Sequence, residues 1–193
     1  MARSPRPVRV LRRRTLYRGR IIRLVLEDLV VKGRRIQRET ILHPGAAVIV
    51  PLLKDGRVIL VRQYRRAVDQ WLLELPAGTL DPGERPLSCA RRELEEETGW
   101  RAKQMTRLAR FYAAPGVTSE ELTVYLARGL RKTTASPEPD ESLCPVVLGF
   151  QQALTMVRRG VIRDAKTIIG LLAAERRLPN LKQGSHLCRL SRS

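Results

Sequence analysis

The chain reads as apolar runs of strand length punctuated by turn signals, with helix-length segments in the middle and at the end. Ile21 to Val31 and Arg34 to Leu42 flank Lys32-Gly33, a spacing that predicts a hairpin. Ala46 to Leu53 and Arg57 to Gln63 bracket Lys54-Asp55-Gly56, and an Asp-Gly pair between two apolar runs predicts a second hairpin. Trp71 to Leu75 leads into Pro76-Ala77-Gly78, read as a loop. Residues 85–98 fit a single helix, closed by Gly99, because the position just past a helix end favours left-handed backbone. Strands are expected at about 105–112, 121–130 and 143–148. Two helices are expected to follow at 150–159 and 164–177, broken at Arg159-Gly160, with Asp164 as the N-cap. Strands first, one helix inside the sheet region and helices last predict a mixed α/β layer arrangement. There is no internal repeat and no sign of a second domain.

Composition adds boundaries to this picture. The 193 residues suit one domain with a small N-terminal addition, and 43% hydrophobic residues suffice for a core. Residues 1–15 are rich in Pro and Arg and read as a basic, disordered tail; 16–45 carry the N-terminal strands, 46–178 the main domain, and 179–193 a loose polar tail. A formal charge of +18 raises nucleic-acid binding first. The cations are spread along the chain, however, and 4% aromatic residues are too few for a base-stacking platform, so an anionic small substrate accounts for the charge at least as well. Cys89, Cys144 and Cys188 make an odd count without metal-ligand spacing, which points to a reducing, cytoplasmic compartment. With only His43 and His186, a histidine-rich metal site is excluded; His43 reads as a strand-end residue before Pro44-Gly45. No apolar run reaches 18 residues, so no membrane span is expected.

The chemistry concentrates in residues 78–100, GTLDPGERPLSCARRELEEETGW. Glu84, Glu93, Glu95, Glu96 and Glu97 stand there between Gly78 and Gly99, in an otherwise basic chain. On a helix, Glu93, Glu96 and Glu97 occupy i, i+3 and i+4 and project from one face. Like charges at that spacing repel and cost a few tenths of a kcal/mol per pair. A divalent cation reverses the sign, and clustered carboxylates without imidazole or thiolate suit Mg²⁺ or Mn²⁺.

The spacing Gly78-x5-Glu84-x7-Arg92-Glu93-Leu94-x-Glu96-Glu97-x-Gly99-Trp100 fills every fixed position of the Nudix box, and the chain is identified as resembling the Nudix hydrolases. A surface helix with a solvated acidic face would explain neither the two glycines nor Arg92 in register. The resemblance implies an α/β/α sandwich around a mixed β-sheet, with N-terminal antiparallel strands, and Mg²⁺-dependent hydrolysis of a nucleoside diphosphate linked to another group. His43-Pro44-Gly45-Ala46, Val61-Arg62-Gln63-Tyr64-Arg65, Glu74-Leu75-Pro76-Ala77-Gly78 and Arg163-Asp164-Ala165-Lys166-Thr167 look like the ADP-ribose pyrophosphatase branch. So does Ala114-Pro115-Gly116-Val117-Thr118-Ser119-Glu120, with Pro115 standing 16 residues past Gly99.

That branch implies a homodimer in which the first strands exchange, so that Arg38 and Glu39 reach the partner's site. It implies substrate contacts from Arg65, Trp71, Glu74, Pro115, Gly116 and Glu120, with Trp71 stacking on adenine. The plain alternatives are an exposed strand-end Arg65, a core Trp71 and a simple Pro-Gly turn. Within the box, the resemblance implies metal ligation by Glu93, Glu96 and Glu97 with the Ala77 carbonyl. It implies an orienting role for Arg92, and for Glu84 either support of the loop or a second metal. Water attacks a phosphorus of the pyrophosphate, with Glu96 and Glu97 in the catalytic group. The general base falls on the acidic loop Glu138-Pro139-Asp140-Glu141, where Glu141 is the choice and Glu138, Asp140 and Glu120 stay open. Two other classes remain: processing of an RNA 5′ end with the basic residues on nucleic acid, and a noncatalytic binding module. Sugar nucleotides and oxidised nucleoside diphosphates are the nearest competing substrates.

Overall fold

The computed structural model describes residues 7–135 and 142–178. The first three strands, β1 (Val8–Arg18), β2 (Arg23–Val31) and β3 (Arg34–Leu42), form an antiparallel sheet in the order β1-β2-β3. Lys32 and Gly33 have φ of 49° and 78°, and Val31 pairs with Arg34, so the two-residue turn has both central residues in left-handed backbone. That geometry matches the natural twist of the flanking strands.

Residues 8–15, assigned by composition to a disordered tail, are strand instead. Val10 pairs with Leu29 and Thr15 with Val25, and a register shift between Val10 and Arg12 lets Arg13 face Glu27. Arg13 Nε and Nη2 donate to Glu27 Oε1 at 2.8 and 2.6 Å, and Thr40 Oγ1 donates to Oε2 at 3.2 Å. Two long-range partners thus hold a carboxylate that is largely withdrawn from water, which is the condition for leaving a charge there. The whole of β1 is nevertheless exposed on its edge.

The second correction concerns Asp55-Gly56. The turn is tight, with Gly56 at φ 82° and its N–H donated to the Leu53 carbonyl at 3.2 Å. The strands on either side do not form a hairpin, however, because they belong to different sheets. β4 (Ala46–Pro51) enters a four-stranded mixed sheet, and β5 (Arg57–Arg65) enters a three-stranded antiparallel one; only a single bridge, Leu52 to Val58, joins them. The mixed sheet has the order β7-β4-β9-β8, with β7 (Ala77–Thr79), β8 (Trp100–Tyr112) and β9 (Glu121–Lys132); β4 runs parallel to β9. The antiparallel sheet has the order β10-β5-β6, with β6 (Gln70–Glu74) and β10 (Leu143–Gly149).

Every residue of β4 is buried, and this explains its unbroken apolar sequence: both faces are covered. On one face Ala47 and Ile49 pack with Tyr125 and Ala127 against Cys89, Ala90 and Leu94 of helix α1 (Pro86–Thr98). On the other, Val48 and Val50 join Leu60, Val124, Leu126, Phe150, Leu154 and Leu171, so the second sheet, α2 (Phe150–Arg158) and α3 (Ala165–Arg177) close the larger core. The result is an α/β/α sandwich around the mixed sheet. Asp164 caps α3 by accepting from the Thr167 N–H at 2.9 Å. No helix among the described residues is long and apolar enough to cross a membrane.

Candidate active site

Two glycines shape the loop and helix that carry the acidic residues. Gly78 lies in β7 opposite Ala47, directly beneath the helix, and a Cβ there would overlap the Glu93 carboxylate. Only hydrogen fits, so the first glycine of the motif is a space-making residue. Gly99 has φ 69° and ψ 33° and donates its N–H to the Glu95 carbonyl at 2.8 Å, ending α1 in left-handed backbone. Thr133 N–H donates to the Gly99 carbonyl at 2.8 Å, which ties the helix end to the residue just past β9.

Between these glycines Arg92 is the hub. Its Nη1 donates to Glu93 Oε1 at 2.6 Å and to Glu96 Oε2 at 3.0 Å. Its Nε and Nη2 donate to the two Glu84 oxygens at 3.2 and 3.0 Å, and Nη2 also reaches the Thr79 carbonyl at 3.3 Å. Glu84 Oε2 in turn accepts from the Asp81 N–H at 3.1 Å, so that Glu84 braces the loop against the helix. The hydrogen bond to Glu84, with the Glu93 charge behind it, holds the Arg92 guanidinium above its ordinary range; the same bond holds the Glu84 carboxyl below its own. Burial, followed by the Glu93 and Glu84 charges, pushes the Cys89 thiol up to about 12, which makes it an inert packing group.

Glu97 is 2% exposed and accepts from the Ala77 N–H at 3.2 Å, so β7 and α1 are stitched together at the residues the motif picks out. Glu93, Glu96 and Glu97, with the Ala77 carbonyl, make an all-oxygen donor set that suits a hard divalent cation. As they stand, no three His, Cys, Asp or Glu side chains among the described residues converge on one point. Arg92 occupies the space between Glu84, Glu93 and Glu96, and an ion there would compete with it for their oxygens.

Ala77, Gly78, Glu93 and Glu96 line a cleft of about 1050 Å³. The same cleft is lined by Arg65 at the end of β5 and Arg66 just after it, by Arg20 between β1 and β2, by Arg23 at the start of β2, and by Arg92 itself. Carboxylates and guanidinium groups lining one cleft can hold a cation and a polyanion together. Beneath Arg65 lies Glu74, 1% exposed, which accepts from Arg65 Nε at 2.8 Å and Nη2 at 2.7 Å and also from Lys166 Nζ. Burial raises the Glu74 pKa, but the Arg65 hydrogen bond and the Lys166 charge outweigh it and hold the carboxyl below its ordinary range.

The other candidates fall elsewhere. Trp71 is 49% exposed, so it is not a core residue; it packs edge-on to Tyr64 with ring centroids 5.6 Å apart, under the Arg62 guanidinium at 5.1 Å. Glu74 faces Arg65 and Lys166, which places it behind the cleft wall. Arg38, Glu39 and Gly116 line a separate concavity with Leu26, Gln37 and Val117. The loop carrying Pro115 docks there through the Val117 carbonyl, which accepts from the Ile41 N–H at 2.8 Å. Glu120 Oε1 lies 3.9 Å from His43 Nδ1. Glu138, Asp140 and Glu141 lie outside the described residues. Arg20 and Arg23 were not singled out by the sequence, and Lys166, which stands in a segment quoted for the resemblance, was given no role there; its contact with Glu74 crosses the fold.

Residues 42–168 match the model of the NUDIX domain. The chain is 37% identical over 155 residues to an ADP-ribose pyrophosphatase of Bacillus subtilis (strain 168), covering 79% of this chain and 84% of that one. It is 35% identical over 159 residues to a methanol dehydrogenase activator of Bacillus methanolicus, covering 81% and 86%. Among solved structures, that of an ADP compounds hydrolase superposes with a TM-score of 0.81 at 26% identity, covering 93% of this chain and 98% of that chain. With the box glycines, the Arg92 hub and the sandwich around β4 all in place, the chain belongs to the NUDIX family of hydrolases.

Proposed function

We propose that this protein hydrolyses the pyrophosphate bond of ADP-ribose, giving AMP and ribose 5-phosphate, with Mg²⁺ as the working metal and Mn²⁺ as a substitute. The observation that carries this reading is the mixed charge of the cleft: Glu93 and Glu96 from α1 line it together with Arg20, Arg23, Arg65 and Arg66. A diphosphate needs both kinds of group, one to hold its counter-cation and one to take its remaining negative charge. The similarity to an ADP-ribose pyrophosphatase over four-fifths of the chain narrows the class to that substrate.

Glu93, Glu96, Glu97 and the Ala77 carbonyl are the groups proposed to hold the cation, which would supply charge neutralisation of the phosphates and a more acidic water. Arg92 orients Glu93 and Glu96 for that task, and Gly78 leaves them room. Arg65, with Arg66, takes phosphate oxygens and sets the diphosphate in line for water attack. Trp71 and Tyr64 form an aromatic edge beside Arg65 for the adenine. Glu141 is the proposed base that accepts the proton of the attacking water; a carboxylate within reach contributes about 10²- to 10⁴-fold.

The working unit is proposed to be a homodimer built on the N-terminal sheet, with Arg38 and Glu39 entering the partner's site together with the Pro115-Gly116 loop. Two features support this: Arg38, Glu39 and Gly116 cluster away from the cleft of their own chain, and Val10, Leu11, Leu16 and Tyr17 leave β1 with an exposed apolar edge. The free thiols Cys89 and Cys144 suit a cytoplasmic setting.

The test is kcat/KM for ADP-ribose, GDP-mannose, a dinucleoside polyphosphate, an oxidised nucleoside diphosphate and a capped RNA at saturating Mg²⁺. ADP-ribose is expected to lead. A tenfold preference for the capped RNA would move the assignment to RNA-end processing, and a tenfold preference for GDP-mannose would move it to sugar nucleotides.

A further inference from the structure

The cleft's basic wall rests on a row of alternating charges that runs back into the core. Arg65 donates two parallel hydrogen bonds to Glu74, from Nε to Oε1 and from Nη2 to Oε2. Glu74 Oε2 also accepts from Lys166 Nζ, and Lys166 Nζ donates to Asp164 Oδ1 at 2.9 Å. The other Asp164 oxygen caps α3 at the Thr167 N–H and accepts from Thr167 Oγ1 at 2.6 Å. That same hydroxyl accepts from the Leu75 N–H at 2.7 Å, one residue past Glu74. The start of α3 therefore grips β6 twice, once through Leu75 and once through Glu74.

The chemistry of this row differs from that of an ordinary surface pair. Glu74 is 1% exposed, so its rotamer is held by its partners and not by solvent. With Lys166 sharing Oε2, part of the carboxylate's charge is spent on the side away from the cleft, and the Arg65 guanidinium keeps positive charge and its Nη1 donors for an anion. Without Lys166, the pair Arg65–Glu74 is a closed, neutral fork that draws the guanidinium inward and satisfies it from below. Lys166 itself is absent from the residues that line the cleft.

We propose that Lys166 is a positioning residue for substrate binding: it acts through Glu74 to set the place and the available charge of Arg65, and never touches the nucleotide. This rests on the reading of the cleft as a diphosphate site, with Arg65 on its phosphate-binding wall.

The experiment is a double-mutant cycle of Lys166→Met and Arg65→Ala, read as KM and kcat for ADP-ribose with the melting temperature as the fold control. Lys166→Met is expected to raise KM about tenfold with kcat within about threefold, the size of one lost charge-assisted contact. Arg65→Ala is expected to raise KM further. The double variant is expected to match Arg65→Ala, because the effect of Lys166 has no route to substrate once the guanidinium is gone. Lys166→Gln, which keeps an N–H donor but not the charge, is expected to fall between wild type and Lys166→Met, and it serves in place of Lys166→Met if that variant does not fold. Additive effects of the two substitutions on KM would overturn the inference, as would a lower melting temperature with KM unchanged. If wild-type protein failed to hydrolyse ADP-ribose, the functional reading would fall and the inference would be judged separately on ADP affinity by calorimetry. Loss of affinity in Lys166→Met but none in the Arg65→Ala background would sustain it; equal loss in both backgrounds would end it.

Discussion

Arg92 and Arg65, which both line the cleft, sit in opposite electrostatic settings. Arg92 is surrounded by Glu84, Glu93 and Glu96, with Glu97 behind them, so one guanidinium answers several carboxylates. Arg65 belongs to a row in which Glu74, Lys166 and Asp164 follow with alternating sign, so its charges are balanced. The first arrangement is incomplete: α1 carries an excess of negative charge that repels itself along one helix face, and only a further cation relieves it. The second is complete and can serve as scaffold. A cluster left short of counter-charge marks where a ligand ion belongs, while a closed one marks what holds the site in shape.

The largest effect expected from breaking this contrast comes from Glu97→Gln, which keeps the side-chain shape and the acceptor for the Ala77 N–H but removes a charge from the unbalanced side. We predict that kcat falls by about 10³-fold or more with an unchanged circular dichroism spectrum; full activity would take the acidic face out of the mechanism. Next is Gly78→Ala, which leaves every charge in place and only fills the space beneath Glu93. The displaced carboxylate should cost about 10²-fold in kcat, and retention of wild-type kinetics would show that the close approach of β7 is not required.

On the balanced side, beside the KM effects of Lys166 and Arg65, the expected effects are on stability. Glu74→Gln leaves Arg65 and Lys166 facing each other without the shared carboxylate. It is predicted to cost about 2–3 kcal/mol, below the range for a fully buried pair because Arg65 is partly exposed; a denaturant midpoint equal to wild type would dissolve the distinction between the clusters. The smallest effect concerns pH. Because the folded protein holds the Glu74 carboxyl below its ordinary value of 4.5, the ionised form contributes stability above that value, and the contribution is lost as pH falls through it toward the folded value. The melting temperature of wild type is therefore expected to fall more steeply below pH 4.5 than that of Glu74→Gln, and parallel curves would refute this.

The contrast also explains how much could be read from the sequence. The acidic face was legible because its parts lie within residues 78–100, where one loop and one helix fix their geometry. For the row from Arg65 to Asp164 the separate segments were legible but their joining was not, since its hydrogen bonds connect residues up to 92 positions apart and no local pattern encodes them. The false hairpin at Asp55-Gly56 has a different cause. The turn chemistry was right, but β4 is covered on both faces and much of β5 is buried, so neither shows the alternation that would tell which sheet a strand joins. For β1, arginine-rich composition concealed a strand whose cations are accommodated by an exposed edge and by Glu27. The helices and the late strands were recovered within a few residues, apart from β8, which starts at Trp100 immediately after Gly99.

The parallel pairing of β4 with β9 has a consequence for how the molecule is built during synthesis. Ala46 finds its partner Leu122 only after the intervening chain has emerged, and Leu75 waits longer still for Thr167. Helix α1 can coil early from local interactions, but the sheet it packs on and the support beneath Arg65 depend on contacts of long sequence separation, which are the slow steps of folding. Until α3 docks, the apolar strand β4 lacks part of its cover on one face and Glu74 lacks one of its two cations. A chain that has not yet reached α3 therefore carries its central strand with part of one apolar face uncovered, and α3 completes that cover.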